Sequence, residues 1–333
     1  MRGWRIAIAG VVCLAAGASG AGWWMVRPVT RDPSAPARLV VIPEGTTAWG
    51  VGRRLTDAGV ARHATAVVLV ARALRVADRL QHGEYRVRPT QSTVEIVQMI
   101  ARGESVQVRV TVPEGYTIGQ IADLLAASGL VDRERFITLA RRGGRTFDRP
   151  TLADLPTDSL EGYLFPETYQ FTRGLGEAAV LVKFLDEFDV QVGPEIRAAA
   201  KARGRTLHEL LTVASMVERE ARVADERPII AGVIYNRLAR GMRLEIDATV
   251  LYALGRHKDV VTLRDLEVDS PYNTYRYAGL PPGPIANPGL AAIRAAASPA
   301  DVPYLFYVLR PDGRHHFSRT LAEHLDAVRR YRR

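Results

Sequence analysis

The stretch Val41–Thr47 reads Val-Ile-Pro-Glu-Gly-Thr-Thr, and it recurs 70 residues later, at Thr111–Thr117, as Thr-Val-Pro-Glu-Gly-Tyr-Thr. Each copy predicts a strand, a Pro-Glu-Gly turn and an amphipathic helix that ends at a glycine. The match continues without a gap, pairing Leu55 with Leu125, Gly59 with Gly129 and Val60 with Leu130. A duplicated α+β unit is therefore expected in the first half of the chain.

The residues around the two copies predict further short elements. A helix is expected over 64–80, a strand over 83–87 and a helix over 93–102, from their apolar periodicity. Residues 132–157 are charged and punctuated by Pro and Gly, which predicts a domain boundary there. We accordingly expect a repeat region over 39–150 and a separate domain over 151–333.

The C-terminal half predicts a mixed and mostly helical α+β domain. Asp247 is expected to cap one short helix that Gly255 stops. The turn Asp312-Gly313 predicts a hairpin, and Thr320 with Glu323 predicts a capping box at the final helix. The expected helices cover about 176–200, 207–221, 226–239, 248–254 and the residues after 320.

The first 38 residues predict a membrane anchor and a linker. Residues 6–26 carry no charge and are flanked by Arg5 and Arg27. As a helix, this run would span about 30 Å, enough for a bilayer core, and Trp23 and Trp24 suit its interface. We expect a cytoplasmic tail (1–5), one transmembrane helix (6–26) and a linker (27–38), with the body outside the inner membrane. A cleaved signal peptide is the alternative.

Composition and net charge limit the kinds of partner that are expected. The 333 residues are 47% hydrophobic and carry a formal charge of +9, which suits an anionic lipid, a cell-wall polymer or nucleic acid. No nucleic-acid-binding signature is present, so nucleic acid is not expected. Cys13 is the single cysteine, which leaves no intramolecular disulfide.

The duplicated unit resembles LysM-type carbohydrate-binding modules, in which a turn and a helix support a shallow sugar groove. The resemblance implies that the repeats bind glycan. Pro-Glu-Gly turns are also common in ordinary loops, so a duplicated structural spacer without a ligand is the alternative.

Residues 210–221 predict the helix that carries the chemistry. Leu210, Ala214 and Val217 form one apolar stripe at 100° per residue. Glu218 falls on one shoulder of that stripe and Glu220 on the other, so either carboxyl could be half-buried. Burial raises a carboxyl pKa, as a general acid near neutral pH requires. Helical geometry does not choose between the two.

The motifs around this helix occur in a specific order. They are Glu218-Arg219-Glu220, Asp225-Glu226-Arg227, Tyr235-Asn236-Arg237-Leu238, Asp247-Ala248-Thr249-Val250, Ser270-Pro271-Tyr272-Asn273-Thr274-Tyr275, Gly279–Ile285 and Asn287-Pro288-Gly289. With them the chain closely resembles the endolytic murein transglycosylase family, also called YceG-like proteins, over nearly its whole length.

The resemblance implies that Glu218 is the catalytic acid/base of a peptidoglycan lytic transglycosylase. Such an enzyme cleaves the bond between N-acetylmuramic acid and N-acetylglucosamine and leaves 1,6-anhydro ends, because the C6 hydroxyl of the substrate replaces water. Two departures are mild: Ala248 stands where relatives commonly carry Pro, and Tyr163 where they often carry Trp. Neither touches the Glu218 motif.

Seven polar residues are candidates for binding substrate. Their amides and hydroxyls suit sugar hydroxyls and N-acetyl groups, and their rings suit stacking, although each also suits an ordinary cap or loop. They are Asn236, Asp247, Thr249, Tyr272, Asn273, Thr274 and Tyr275. His315 and His316 alternate on a strand and make a poor metal pair. We expect no metal and no cofactor.

Two other functions stay open. The first is a hydrolytic muramidase that cuts the same bond with water and uses Asp247 or Glu220 as its second carboxylate. The second is a non-catalytic scaffold that holds synthesis proteins near peptidoglycan. The expected partners are glycan strands, the cytoplasmic membrane, and peptidoglycan synthases or division proteins.

Overall fold

A computed structural model describes residues 23–153, 155–256, 258 and 260–331. The chain forms two compact units. The first contains the residues up to Val110 together with 128–130 and 170–176, and the second contains 111–127, 131–169 and 177–333. This division differs from the boundary predicted at 150/151, because residues 111–127 and 131–150 pack with the C-terminal residues. The α+β class is confirmed.

The first unit is built on an antiparallel strand pair covered by helices. The pair runs from Arg38 opposite Val87 to Ile42 opposite Gly83. Val51, Leu55 and Ile96 are fully buried against it. The elements up to the second copy are β1 (Arg38–Ile42), α1 (Ala48–Asp57), α2 (Ala64–Ala73), β2 (Gly83–Val87), α3 (Thr93–Ala101) and β3 (Gln107–Thr111).

The order strand–helix–helix–strand is repeated in the second copy. It comprises β3, α4 (Ile118–Ala127), α5 (Arg133–Arg142) and β4 (Thr168–Thr172), and β3 pairs with β4. The turn glycines adopt the same left-handed backbone, with φ of 75° at Gly45 and 76° at Gly115. The helix-ending glycines also match, with 63° at Gly59 and 67° at Gly129. The duplication predicted from the sequence is thus confirmed at the level of elements.

The first part of the segment in which a domain boundary was predicted, 132–157, is helical. Helix α5 begins there, because the Asp132 carboxylate accepts a hydrogen bond from the Arg135 N–H (2.9 Å) and caps the helix. Phe136 and Ala140 are fully buried. The charges that suggested a domain boundary therefore lie on the exposed face of an amphipathic helix.

The second unit surrounds one central helix, α8. All side chains from Leu210 to Val217 are buried, so α8 is covered on every side rather than along the one predicted stripe. Helices α7, α9, α10 and α11 pack against it. The elements are α6 (Glu177–Gln191), α7 (Pro194–Ala202), α8 (Leu207–Glu220), α9 (Arg227–Ala239), α10 (Asp247–Leu254), α11 (Leu290–Ala297), β5 (Phe306–Leu309), β6 (His315–Ser318) and α12 (Leu321–Tyr331).

Three predicted helices require correction. The helix expected over 64–80 ends at Ala73, and a separate 3-10 turn follows over Ala77–Arg79. The helix expected over 176–200 is two helices, because Pro194 cannot continue α6 and instead begins α7 after an extended Gly193. The cap of α10 is Ile246, which provides no side-chain bond, and Asp247 is the first helical residue. The predicted hairpin and the Thr320 cap of α12 are confirmed.

The predicted transmembrane segment, 6–26, lies outside the described residues except for 23–26, which are helical. Within the part of the chain that the structure describes, no helix has the length and apolar character to cross a bilayer.

Candidate active site

Glu218 lies in the last turn of α8, with its side chain only 8% exposed. Its Oε2 accepts a hydrogen bond from the backbone N–H of Gly289 (3.1 Å), at the start of α11. Its Oε1 lies 3.7 Å from Nη2 of Arg227, at the start of α9. The carboxyl is thus held by groups from two other helices, while little of it reaches solvent.

The pKa of Glu218 is raised above its ordinary value. Burial is the largest cause, and the negative charge of Glu114 acts in the same direction. The Gly289 N–H and the Arg227 guanidinium oppose the rise, because both stabilise the carboxylate. A carboxyl balanced in this way can hold a proton and also release it, as general acid/base chemistry requires.

Asn287 fixes the backbone that carries Gly289. Its Oδ1 accepts from the N–H groups of Gly162 and Leu164, both at 2.9 Å. Its Nδ2 donates to the Tyr116 carbonyl (2.9 Å) and to Oε1 of Glu161 (3.0 Å). Asn287 is fully buried and uses all four hydrogen-bonding positions of its amide, so it locks the loop before α11 to the second Pro-Glu-Gly turn.

Glu161 is a second buried carboxyl beneath the site. Its Oε1 also accepts from the Ile118 N–H at the start of α4 (2.9 Å), and its Oε2 accepts from the Tyr252 hydroxyl (3.2 Å). Burial raises the pKa of Glu161 to about 7, against the lowering effect of these hydrogen bonds. This residue joins α4, α10 and the loop of Asn287.

Glu220 belongs to a different cluster. Its Oε2 accepts from the Tyr307 hydroxyl on β5 (3.1 Å). Burial raises its pKa to about 7, and the nearby charge of Asp247 adds to the rise. Asp247 itself accepts a 2.6 Å hydrogen bond from the Tyr275 hydroxyl. The predicted site residues Asp247 and Tyr275 therefore meet at Glu220.

Three of the other predicted binding residues are engaged in holding the loop beside α10. Thr249 and Thr274 share a hydrogen bond (2.9 Å), and Thr274 also accepts from the N–H of Ile246 (3.0 Å), the residue before α10. Asn273 donates to the carbonyls of Leu266 and Val268, both at 2.8 Å. These buried side chains shape the loop around them.

Asn236 and Tyr272 lie in different surroundings. Asn236 donates to the carbonyls of Val302 (2.6 Å) and Tyr304 (3.0 Å), so its amide hydrogens are used on backbone. Tyr272 is half-buried, and its ring packs against that of Tyr252, with 4.8 Å between centroids. Tyr272 is thus an aromatic side chain at a partly exposed position. A role of either residue in binding substrate stays a prediction.

Sequence reasoning did not assign Glu114, Arg227, Asn287 or Glu161 to the site. The repeated Pro-Glu-Gly turn was the available indication for Glu114, and the motifs that contain Arg227 and Asn287 were noted without a role. Within the described part of the chain, no group of three His, Cys, Asp or Glu side chains is arranged to hold a metal ion. The expectation of a metal-free mechanism stays untested.

The first unit carries a cavity of its own, of about 620 Å³. It lies beside the first Pro-Glu-Gly turn and combines polar groups with one exposed aromatic ring. Trp49 is 52% exposed. The polar and aromatic residues that line the cavity include Thr46, Thr47, Trp49, Arg72, Asp78 and His82.

A fold with a largely buried carboxyl at the end of its central helix, balanced between a cation and a second carboxylate, is typical of an acid/base enzyme. The sequence profile of the YceG-like family matches residues 40–330. The chain therefore belongs to the YceG-like family.

Individual relatives agree with this assignment. The chain is 32% identical to the endolytic murein transglycosylase of Bacillus subtilis (strain 168) over 320 residues, which cover 92% of this chain and 88% of that protein. It is 33% identical to a Streptococcus pneumoniae protein of the same name (serotype 2, strain D39 / NCTC 7466), covering 81% of this chain and 53% of that one. It thus spans about half of the pneumococcal relative. A crystal structure of a YceG-like protein from Listeria monocytogenes matches with a TM-score of 0.60 and 33% identity, over 88% of this chain and 100% of that chain.

Proposed function

We propose that this protein is an endolytic peptidoglycan lytic transglycosylase that cleaves the bond between N-acetylmuramic acid and N-acetylglucosamine within glycan strands. The observation that carries the proposal is the Glu218 carboxyl, buried and hydrogen-bonded to Gly289 in a chain of the YceG-like family. The relatives from Bacillus and Streptococcus carry the name endolytic murein transglycosylase, which supports the same activity here.

The chemistry needs one group that first gives and then takes a proton. Glu218, as the acid, protonates the glycosidic oxygen while the bond from C1 to that oxygen breaks. The C6 hydroxyl of the same muramic acid ring then bonds to C1 and passes its proton to the Glu218 carboxylate. Glu218 ends in its starting form, no water is consumed, and the product carries a 1,6-anhydro ring. Attack within one ring also has a large effective-molarity advantage.

The geometry gives little support to a muramidase that uses Asp247 or Glu220 as the second carboxylate. Asp247 is occupied by the Tyr275 hydroxyl and Glu220 by the Tyr307 hydroxyl. Both carboxyls lie in the cluster around Glu220, whereas the charged groups beside Glu218 are Glu114 and Arg227.

Mass spectrometry of purified glycan strands after digestion tests the proposed reaction. The wild type should produce internal cuts with anhydro ends, and Glu218→Gln should reduce cleavage by about 10²- to 10⁴-fold while leaving the fold intact. Reducing ends in place of anhydro ends would identify a muramidase. Binding of glycan without any shortening by the wild type would identify a scaffold.

The repeats have a proposed role of their own, which is to hold glycan near the active enzyme. The cavity beside the first Pro-Glu-Gly turn supports this, because it combines an exposed indole with hydroxyl, guanidinium and carboxylate groups. Sugars are bound by such combinations of stacking and hydrogen bonding. A structural spacer, the alternative, would not retain glycan.

The proposed location is the outer face of the cytoplasmic membrane, with residues 6–26 as the anchor and the N-terminus inside. The support is the uncharged run between Arg5 and Arg27 and the location of the proposed substrate outside that membrane. N-terminal sequencing of the membrane fraction should find the segment intact. A mature chain that begins after about Ala21 would instead show a cleaved signal peptide. Peptidoglycan synthases and division proteins are the partners we expect there.

A further inference from the structure

The carboxyl of Glu114 lies directly over Gly289, the residue whose N–H binds Glu218. A β-carbon added at Gly289 would overlap the Glu114 carboxyl and lie 2.8 Å from its Cγ. The backbone of Gly289 does not itself require glycine, since its φ is −74° and its ψ is 166°. The absent side chain leaves room for Glu114. One glycine thus faces two carboxyl groups, through its N–H and its α-carbon.

The turn that carries Glu114 is held in place at both sides. The Gly115 N–H donates to the Asn287 carbonyl (2.8 Å), and the Gly115 carbonyl accepts from Nη1 of Arg219 (3.4 Å). A β-carbon at Gly115 would lie 3.5 Å from Cγ of Glu218, so this turn also touches the shaft of the Glu218 side chain. The turn that carries Glu114 is therefore held by the same loop, at Asn287, that carries Gly289.

We propose that Glu114 is a positioning residue of the active site, whose negative charge beside Glu218 prepares Glu218 to donate its proton. This inference rests on the proposed function, because it assigns a task within that reaction. It gives the second Pro-Glu-Gly turn an electrostatic role in addition to its structural one.

The two carboxyls have different surroundings. Glu114 is exposed to solvent, whereas the Glu218 side chain is nearly covered. When two carboxyls share one site, the proton resides on the one that is harder to ionise. Burial is the largest cause of the raised pKa of Glu218, and Glu114 is the charge that adds to it.

Groups with opposite effects on the pKa of Glu218 allow this carboxyl both to lose and to regain its proton. Arg227 and the Gly289 N–H stabilise Glu218 after its proton has left, while Glu114 favours the return of a proton from the C6 hydroxyl. Asp247, at the start of α10, and Arg219 act on the pKa of Glu220 instead. The charged groups that act on Glu218 are therefore Glu114 from the turn and Arg227 from α9.

The chain contains a matched control. Glu44 occupies the same position in the first Pro-Glu-Gly turn, and the following glycine has the same left-handed conformation. The N–H of Glu44 donates to the Gly174 carbonyl (3.1 Å), within the first unit. Substitution of Glu44 changes the same chemical group in the same type of turn, but in the first unit, whereas Glu218 belongs to the second.

The experiment compares Glu114→Gln and Glu44→Gln in the full-length, detergent-solubilised protein. The pH dependence of kcat/KM for glycan cleavage should lose part of its alkaline side in Glu114→Gln, because Glu218 gives up its proton at lower pH. We expect kcat/KM to fall about tenfold near pH 7.5, mainly through kcat. Glu44→Gln should keep the wild-type profile. Equal profiles for wild type and Glu114→Gln would overturn the inference.

Two further measurements separate this inference from the proposed reaction. The ¹³C-carboxyl signal of Glu218, identified by its loss in Glu218→Gln, should titrate at lower pH in Glu114→Gln whatever the products of digestion are. An unchanged titration would refute the role of Glu114 even if anhydro ends are found. Gly289→Ala should displace the Glu114 carboxyl and shift the titration in the same direction, and adding it to Glu114→Gln should produce little further change. If the titration shifts of the two single variants added up in the double variant, Gly289→Ala would not act through Glu114, and the inference would be contradicted.

Discussion

Glu218 and Glu220 are two residues apart at the end of α8, yet their carboxyls enter separate hydrogen-bond networks. Oε2 of Glu218 accepts from the backbone N–H of Gly289, and Oε2 of Glu220 accepts from the hydroxyl of Tyr307. Two residues correspond to 200° around an α-helix, so the side chains leave on nearly opposite sides. The first network meets the second Pro-Glu-Gly turn, and the second meets β5 and α10.

Glu220→Gln should therefore reduce cleavage much less than Glu218→Gln, within about tenfold of the wild type. Gln retains the size of the side chain and removes only a charge that lies away from the proposed proton transfer. Quantified anhydro products from both variants under one condition provide the measurement. Tyr307→Phe is the matched control for the network, with an expected loss of about 1 kcal/mol in stability and little loss of cleavage. Equal losses in the two glutamate variants would point to a two-carboxylate reaction.

Asn287→Asp should destabilise the second unit, and more strongly at pH 8 than at pH 5.5. The acceptor towards Gly162 and Leu164 is retained, but the second oxygen then faces the carbonyl of Tyr116 and the carboxyl of Glu161. Buried groups that lose their partners cost about 1–3 kcal/mol each, and more when they are charged. Denaturant unfolding at the two pH values measures the effect.

Asn287→Ala provides the comparison, since it removes the same bonds without adding charge. Its destabilisation should change less between the two pH values. If Asn287→Asp were no more sensitive to pH than Asn287→Ala, the Glu161 carboxyl would not be the group that opposes the new charge.

The sequence was sufficient to predict the elements that local patterns define. The Pro-Glu-Gly turns, the glycines that end helices and the capping box at Thr320 all depend on residues within a few positions of each other, and the structure confirms them. The predictions that failed concerned longer segments, whose structure was inferred from composition alone. The helix expected over 176–200 ignored Gly193 and Pro194, and charges on an exposed helix face were interpreted as a domain boundary.

The site was predicted less completely, for a physical reason. The resemblance indicated Glu218, but the groups that act on it come from positions 114, 227 and 289, which only the tertiary fold brings together. Asn236, Asn273 and Thr274 were expected to bind substrate because their types suit sugars. The structure shows their polar atoms bonded to nearby backbone and side chains, a use that residue type alone does not distinguish.

Trp49→Ala should weaken retention of peptidoglycan if the cavity of the first unit binds glycan. Measurements in the Glu218→Gln background, at high salt, prevent cleavage and suppress non-specific attraction by the basic chain. A decrease of about tenfold in apparent affinity corresponds to about 1.4 kcal/mol, a reasonable value for one lost stacking contact. Leu69→Ala is the control, because Leu69 is also exposed but does not line the cavity. Equal retention of both variants would favour a structural spacer.

Glu161→Gln should flatten the pH dependence of stability between about pH 5 and pH 8. The pKa of Glu161 is raised from 4.5 to about 7 in the folded protein. Between these values the folded protein keeps the proton that the unfolded chain has released, so stability falls as pH rises and the loss is complete above pH 7. A difference of this size corresponds to roughly 3 kcal/mol.

Gln represents the neutral form of Glu161 at every pH. Its oxygen can accept from Ile118 and Asn287, and its amide can donate to the Tyr252 hydroxyl, which rotates to accept. The variant should therefore be closest to wild type in stability near pH 5 and should gain on it as the pH rises to 8. Glu220 has a similarly raised pKa, but it is present in both proteins, so the difference between their unfolding curves isolates Glu161. A constant difference across this range would mean that Glu161 is already ionised in the folded protein at pH 5, with the hydrogen bonds from Ile118, Asn287 and Tyr252 outweighing its burial.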